Sequence, residues 1–114
     1  MVEHQIKRRR IQDQCVLDAF YQIPREKFVL HEFQSLAFSD GPLSIGHGQT
    51  ISQPYVVAFM TEATKIKPGD HCLEVGTGSG YQTAILSKLC AEVYTLEIVE
   101  DLYRGASYKI LRES

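Results

Sequence analysis

The stretch LEVGTGSGYQTA, from Leu73 to Ala84, sets an acid, three glycines and small hydroxyl residues between an apolar run and a helical pattern. Glycines at a strand-to-helix turn permit tight φ/ψ values, and their bare backbone lets a ligand press directly on the chain. On one side, His71 to Val75 reads as a buried strand. On the other, Ser79 to Leu89 reads as a helix with Ala84, Ile85 and Leu89 inward, Val93 to Ile98 as a second strand, and the residues from Glu100 as a charged helix. A strand, a short helix and a strand within about thirty residues predict parallel strands joined by a right-handed crossover, hence an α/β sheet.

Toward the N-terminus the pattern changes. Pro68-Gly69-Asp70 is a turn signal. Before it, Ser52 with Pro54 close behind opens a helix, with Val56, Val57, Met60, Ala63 and Thr64 as its apolar stripe and Ser52 as a candidate N-cap. Residues Pro24 to Ser52, punctuated by Gly41, Pro42, Gly46 and Gly48, read as a long loop folded over something rather than as a regular element. Asp13 is a plausible N-cap for a helix carrying Val16, Leu17, Ala19 and Phe20, which Pro24 stops. The basic run Lys7 to Arg10 reads as a solvated helix face. Residues 1–52 thus form an N-terminal helical and covering-loop region, and residues 53–114 the first half of a Rossmann-like domain.

With 114 residues, the chain has room for one modest core. Its formal charge of −2 gives no general reason to expect nucleic acid or an anionic membrane as partner. The opening MVEHQIKRRR lacks the apolar centre of a signal peptide and no long apolar run follows, so a soluble, cytoplasmic protein is expected. Cys15, Cys72 and Cys90 are odd in number and form no CxxC pair, which predicts reduced packing cysteines. His4, His31 and His71 are scattered, no spacing supports a metal site, and His47 reads as a solvated loop histidine. Tyr55 and Tyr81, beside helix starts, read as core residues, the alternative being that they pack near a bound ligand.

The ligand follows from spacing and charge. A dinucleotide enzyme would use GxGxxG and set a pyrophosphate on the helix N-terminus. Here Gly76, Gly78 and Gly80 give GxGxG, and Glu74 just before them would repel a pyrophosphate but suit a cationic ligand. Glu97 lies 21 residues beyond Gly76, the separation at which an acid hydrogen-bonds a ribose diol. An adenosine bearing an amino group and a sulfonium satisfies both acids, which points to S-adenosylmethionine. The alternatives are an ordinary strand-to-helix turn with two solvated acids, and a dinucleotide oxidoreductase, which the spacing and Glu74 disfavour.

The segments VLDAFYQIPREKFV, AFSDGPLSIGHGQTISQPYVVAFMTE, PGDHCLEVGTGSGYQTAILSKL and VYTLEIVE strongly resemble the protein-L-isoaspartate O-methyltransferase family, with GQTISQP the most specific of them. The resemblance implies a Rossmann-like, S-adenosylmethionine-dependent methyltransferase with an added N-terminal helical region. Its reaction would transfer a methyl group to the α-carboxylate of isoaspartyl residues in damaged proteins. The ester then collapses to a succinimide whose hydrolysis restores some normal linkage. By the same resemblance Ser52 is the active-site residue, Gln49, Thr50 and Ile51 line the cofactor with Ser52, and Glu97 and Ile98 hold ribose and adenine. No metal is implied.

The chemistry agrees with the residues. A carboxyl group with an ordinary pKa near 4 is already ionised at neutral pH, so the acceptor needs no base. It needs placement, and the Ser52 hydroxyl suits that as a hydrogen-bond donor rather than as a nucleophile. Two positions depart from the family pattern: Arg10 stands where a glycine is common, and Ser44 where a proline is usual. The family continues past this point into further strands, an acidic turn at adenine and the rest of the substrate pocket. A sheet stopping after two strands is expected to leave strand edges and an apolar face bare, which predicts marginal stability or self-association. A homologue that binds adenosine ligands or a partner without turnover is the second expectation.

Overall fold

Asp13 opens the first helix as its sequence predicts. Its carboxylate accepts from the amides of Cys15 at 2.9 Å and Val16 at 3.4 Å, satisfying donors that have no partner inside the helix. The computed structural model describes residues 1–113, with side chains through residue 107. Helix α1 (Gln14–Gln22) buries Val16, Leu17, Ala19 and Phe20 and ends at Ile23, held extended ahead of Pro24. Before it, a π-helical turn over Val2–Ile6 and a 3-10 turn over Lys7–Arg9 lead to Arg10, whose φ of 71° lies in the left-handed region. That conformation explains why glycine suits this position.

The stretch from Pro24 to Ser52 is more regular than its composition suggests. It contains 3-10 turns over Arg25–Lys27 and His31–Leu36, then an antiparallel hairpin of β1 (Leu43–Gly46) and β2 (Gln49–Ile51). Gly46, His47 and Gly48 all have positive φ, so the glycines that look like loop punctuation form the turn of a hairpin.

Helix α2 (Pro54–Thr64) corrects two expectations. Its N-cap is Gln53, not Ser52, because Pro54 occupies the first turn and forces the residue before it to be extended. Its buried face is Val57, Ala58 and Thr61, whereas Val56, Met60, Ala63 and Thr64 are exposed. The helix is apolar on more than one side, so periodicity could not select the side that packs on α1 and the N-terminal turns. Glu62 ties α2 to the start of α1 by accepting from the amides of Gln12 at 2.8 Å and Asp13 at 2.9 Å.

Beyond the Pro68-Gly69 turn, β3 (His71–Val75) and β4 (Glu92–Leu96) pair in parallel, from His71 opposite Glu92 to Val75 opposite Leu96. Helix α3 (Tyr81–Ser87) makes the crossover, and α4 (Glu100–Glu113) packs on it, burying Leu102 and Ala106. The expectation that His71 to Val75 is a buried strand is not met, since no residue of β3 is fully buried and only one face is partly covered. Cys72, Glu74, Val93 and Thr95 are partly covered, but Leu73, Val75, Tyr94 and Leu96 on the opposite face are more than half exposed. A two-stranded sheet with one helical layer covers only alternate residues.

The core lies between α1, α3 and the N-terminal turns. The Tyr81 ring sits 6.0 Å from that of Phe20 and 5.6 Å from that of Phe28. The buried Arg25 guanidinium lies over it at 5.2 Å, while its Nε donates to the Ala37 carbonyl at 2.7 Å. All three cysteines are free; Cys72 and Cys90 are half-buried, whereas Cys15 is exposed and is not a packing residue.

Candidate functional site

The carboxyl ends of the β2 and β3 strands and the start of α2 meet around one cavity of about 310 Å³. Small-ligand pockets span roughly 300–1,000 Å³. One wall is Thr50, Ile51 and Ser52; the other is Glu74 with the glycine turn through Gly76 and Gly78. These six sequence-predicted residues come from two separate parts of the chain and converge only in the fold. Gln49 is exposed on β2, Gly80 caps α3, and Ile98 is 99% exposed; none of these three borders the cavity, and neither does Glu97.

The glycine turn is stitched to the end of β4. The amides of Gly76 and Thr77 donate to the Leu96 carbonyl at 2.8 and 3.1 Å. Gly76, Gly78 and Gly80 have φ of 93°, 56° and 86°, values that side-chain-bearing residues rarely adopt. A Cβ added at Gly76 would meet nothing within 4 Å, so its backbone borders open space, as an extended ligand laid on the turn requires. Glu97 reaches the same turn from the end of β4: its carboxylate accepts from the Gly78 amide at 2.7 Å and the Val99 amide at 3.0 Å. The Val99 amide, then that of Gly78, hold its carboxyl below the ordinary carboxylate value.

Glu74 is held differently. One oxygen, Oε1, accepts from both the Thr83 hydroxyl and the Thr95 hydroxyl, the latter at 2.7 Å. The Thr77 hydroxyl stands 2.5 Å from that of Thr95. Burial raises the Glu74 carboxyl above its ordinary value, and the two threonine hydroxyls pull it back.

Ser52 is exposed on the cavity wall, and its hydroxyl has no partner among the described residues. Its neighbour Gln53 donates to Asp40 Oδ1 at 2.6 Å, and Asp40 pairs with Arg9, whose guanidinium lies 5.2 Å from the centre of the Tyr55 ring. The segment carrying Ser52 is thus fastened to the N-terminal turns. His47, at the hairpin tip, lies 3.7 Å from Asp101 of α4 and does not line this cavity. Among the described residues no group of three or more His, Cys, Asp or Glu is placed to hold a metal ion, and no helix is long and apolar enough to cross a membrane.

Sequence reasoning misses several neighbours. Val56 and Met60 line the cavity instead of the core, and Thr77, Ser79 and Gln82 join the wall beside Val57, Val75 and Tyr81. Thr83 and Thr95 are legible only as polar residues inside otherwise apolar runs.

A parallel β-α-β unit whose glycine turn borders a ligand-sized cavity at the strand ends belongs to the Rossmann-like α/β class. The chain itself is a member of the protein-L-isoaspartate(D-aspartate) O-methyltransferase family, whose model matches residues 1–114. It is 52% identical over 107 residues to the protein-L-isoaspartate O-methyltransferase of Opitutus terrae, covering 94% of this chain and 46% of that one. It is 53% identical to the Picosynechococcus enzyme of the same name, over 93% of this chain and 48% of the other. A Plasmodium falciparum crystal structure assigned to protein-L-isoaspartate O-methyltransferase, in complex with S-adenosyl-L-homocysteine, matches with a TM-score of 0.82 and 31% identity over 99% of this chain and 54% of that one. The chain spans about half the length of the curated relatives it matches.

Proposed function

We propose that this chain carries the S-adenosylmethionine site and the acceptor-side serine of a methyltransferase that esterifies the α-carboxylate of isoaspartyl residues in damaged proteins. The observation that carries the reading is the cavity uniting Ser52 with Glu74 and the glycine turn, in a chain of this family. When bound, the cofactor supplies an electrophilic methyl group on a sulfonium. The chain's own residues bind and orient. Gly76 and Gly78 offer bare backbone, with Gly80 turning the chain into α3; Glu74 takes the ammonium end; Thr50 and Ile51 line the cofactor, with Gln49 beside them on β2; Glu97 and Ile98, beyond this cavity at the end of β4, take the ribose and adenine. The acceptor carboxylate arrives ionised, so no base is required. The Ser52 hydroxyl, unpartnered among the described residues and exposed, donates to an acceptor oxygen and helps to hold it in line with the methyl carbon; alignment of both reactants is worth on the order of 7–11 kcal/mol in total, of which one hydrogen bond to a charged group supplies about 1.5–3 kcal/mol.

In this reading residues 1–52 cover the site, residues 53–114 supply the first half of the cofactor domain, and the protein works in the cytoplasm. The bare sheet face at Leu73, Val75 and Leu96 supports self-association as well; the second reading is a chain that binds adenosine ligands without turnover. Calorimetric titration with S-adenosylhomocysteine, with NAD and a Glu97→Ala variant alongside, tests the site. Saturable binding of the first ligand only, lost in the variant, is expected; a folded protein that binds neither ligand, or binds NAD as well, overturns it. Methyl transfer to an isoaspartyl peptide but not to its normal aspartyl counterpart then separates the enzyme from the binder.

A further inference from the structure

Glu74 is gripped from one side. Thr83 on α3 and Thr95 on β4 both direct their hydroxyls at the same carboxylate oxygen, Oε1. A hydroxyl has one proton, so if Thr95 donates to Glu74, the hydroxyl of Thr77 must be the donor across its 2.5 Å contact with Thr95. Every proton in this relay then points toward Oε1, which serves as acceptor to both threonines. The second oxygen, Oε2, receives no donor from the described residues and is not sealed from solvent, while Glu74 itself borders the cavity.

Resting on the cofactor reading above, we propose that Thr83 and Thr95 are positioning residues that make Glu74 the selectivity element of the cavity. By fixing Oε1, they leave Oε2 as the acceptor for a ligand ammonium, so that adenosine ligands carrying an α-amino group are preferred over those without one. The threonines touch no ligand in this scheme. Their effect reaches the ligand through the orientation and ionisation of one carboxylate. A charge-assisted hydrogen bond is the stronger kind, and losing its geometry costs more than losing neutral contacts elsewhere in the site.

The test compares S-adenosylhomocysteine with its desamino analogue, which lacks only the ammonium, by calorimetry on wild type, Thr83→Val, Thr83→Ser and Glu74→Gln. Wild type should prefer S-adenosylhomocysteine by about tenfold, the scale of one charge-assisted hydrogen bond. Glu74→Gln should abolish most of that preference. Thr83→Val should lose a large part of it with affinity for the desamino analogue unchanged, and Thr83→Ser, which keeps the hydroxyl, should retain it. In Thr83→Val the preference should also fade at a higher pH on acidification, because a carboxylate deprived of a donor, with Glu97 as its charged neighbour, protonates more readily. Equal weakening of both ligands in Thr83→Val, or an unchanged ratio, overturns the inference while leaving the cofactor site standing. A folded wild type that binds neither compound overturns the cofactor reading and the inference together.

Discussion

The region around Tyr81 and the outer face of the β3–β4 sheet are both apolar in sequence, yet they meet opposite fates. Ile6, Phe28 and Ile85 are fully buried, whereas Leu73 and Val75 are 68% and 80% exposed. Hydrophobic character therefore does not fix burial; the number of layers does. Around Tyr81 of α3, Phe20 of α1 and Arg25 and Phe28 of the turn that follows α1 enclose the ring from several sides. The sheet has a helical layer on one side, so its inward residues include the half-covered Glu74 and Thr95 of the candidate site, and its outward residues include the aliphatic Leu73, Val75 and Leu96.

The sharpest way to break this contrast is to empty the closed region. Tyr81→Ala removes a ring shared by Phe20, Phe28 and Arg25 and should cost about 3–5 kcal/mol of stability in urea denaturation; a cost below about 1 kcal/mol would mean that the core is not centred there. Next in size is a gain. Arg10→Gly relieves a non-glycine residue at φ 71° and should stabilise the fold by about 1 kcal/mol, read as a raised denaturation midpoint.

A local effect should follow at the join between the two regions. Glu97 has a depressed native pKa, so its grip on the Gly78 amide is present above its unfolded-state value, about 4.3, and is lost as pH falls through the lower native one. Hydrogen exchange, corrected for its intrinsic pH dependence, should show the Gly78 amide losing protection in that window while the Tyr81 core stays protected. The smallest effect belongs to the open face. Leu73→Thr should change stability by less than about 0.5 kcal/mol while lowering binding of an apolar dye, and a loss above about 2 kcal/mol would show that something covers that face in solution.

Much of this molecule is legible in its residues. The order strand, glycine turn, helix, strand follows from a change of hydrophobic period and from three glycines whose positive φ values the structure bears out. The Asp13 cap is equally local, a side chain closing on amides two and three residues ahead. The hairpin of Leu43–Gly46 and Gln49–Ile51 escapes sequence reasoning because its strands are short and its glycines read as loop. Ser52 looks like a cap, but Pro54 moves the helix boundary one residue on, to Gln53.

What the sequence by itself determined is the set of short-range choices: which segments are helix or strand, where the backbone must be bare, and which acids lie near the turn. Only the tertiary structure decided which side of α2 is buried, that Val56 and Met60 line a cavity, that Ser52 and Glu74 share it, and that Thr83 and Thr95 grip the same carboxylate oxygen. Short-range choices are made by backbone sterics and hydrogen bonds within a few residues. The others depend on how two elements rotate against each other, and that rotation is set by the close packing of side chains far apart in the chain.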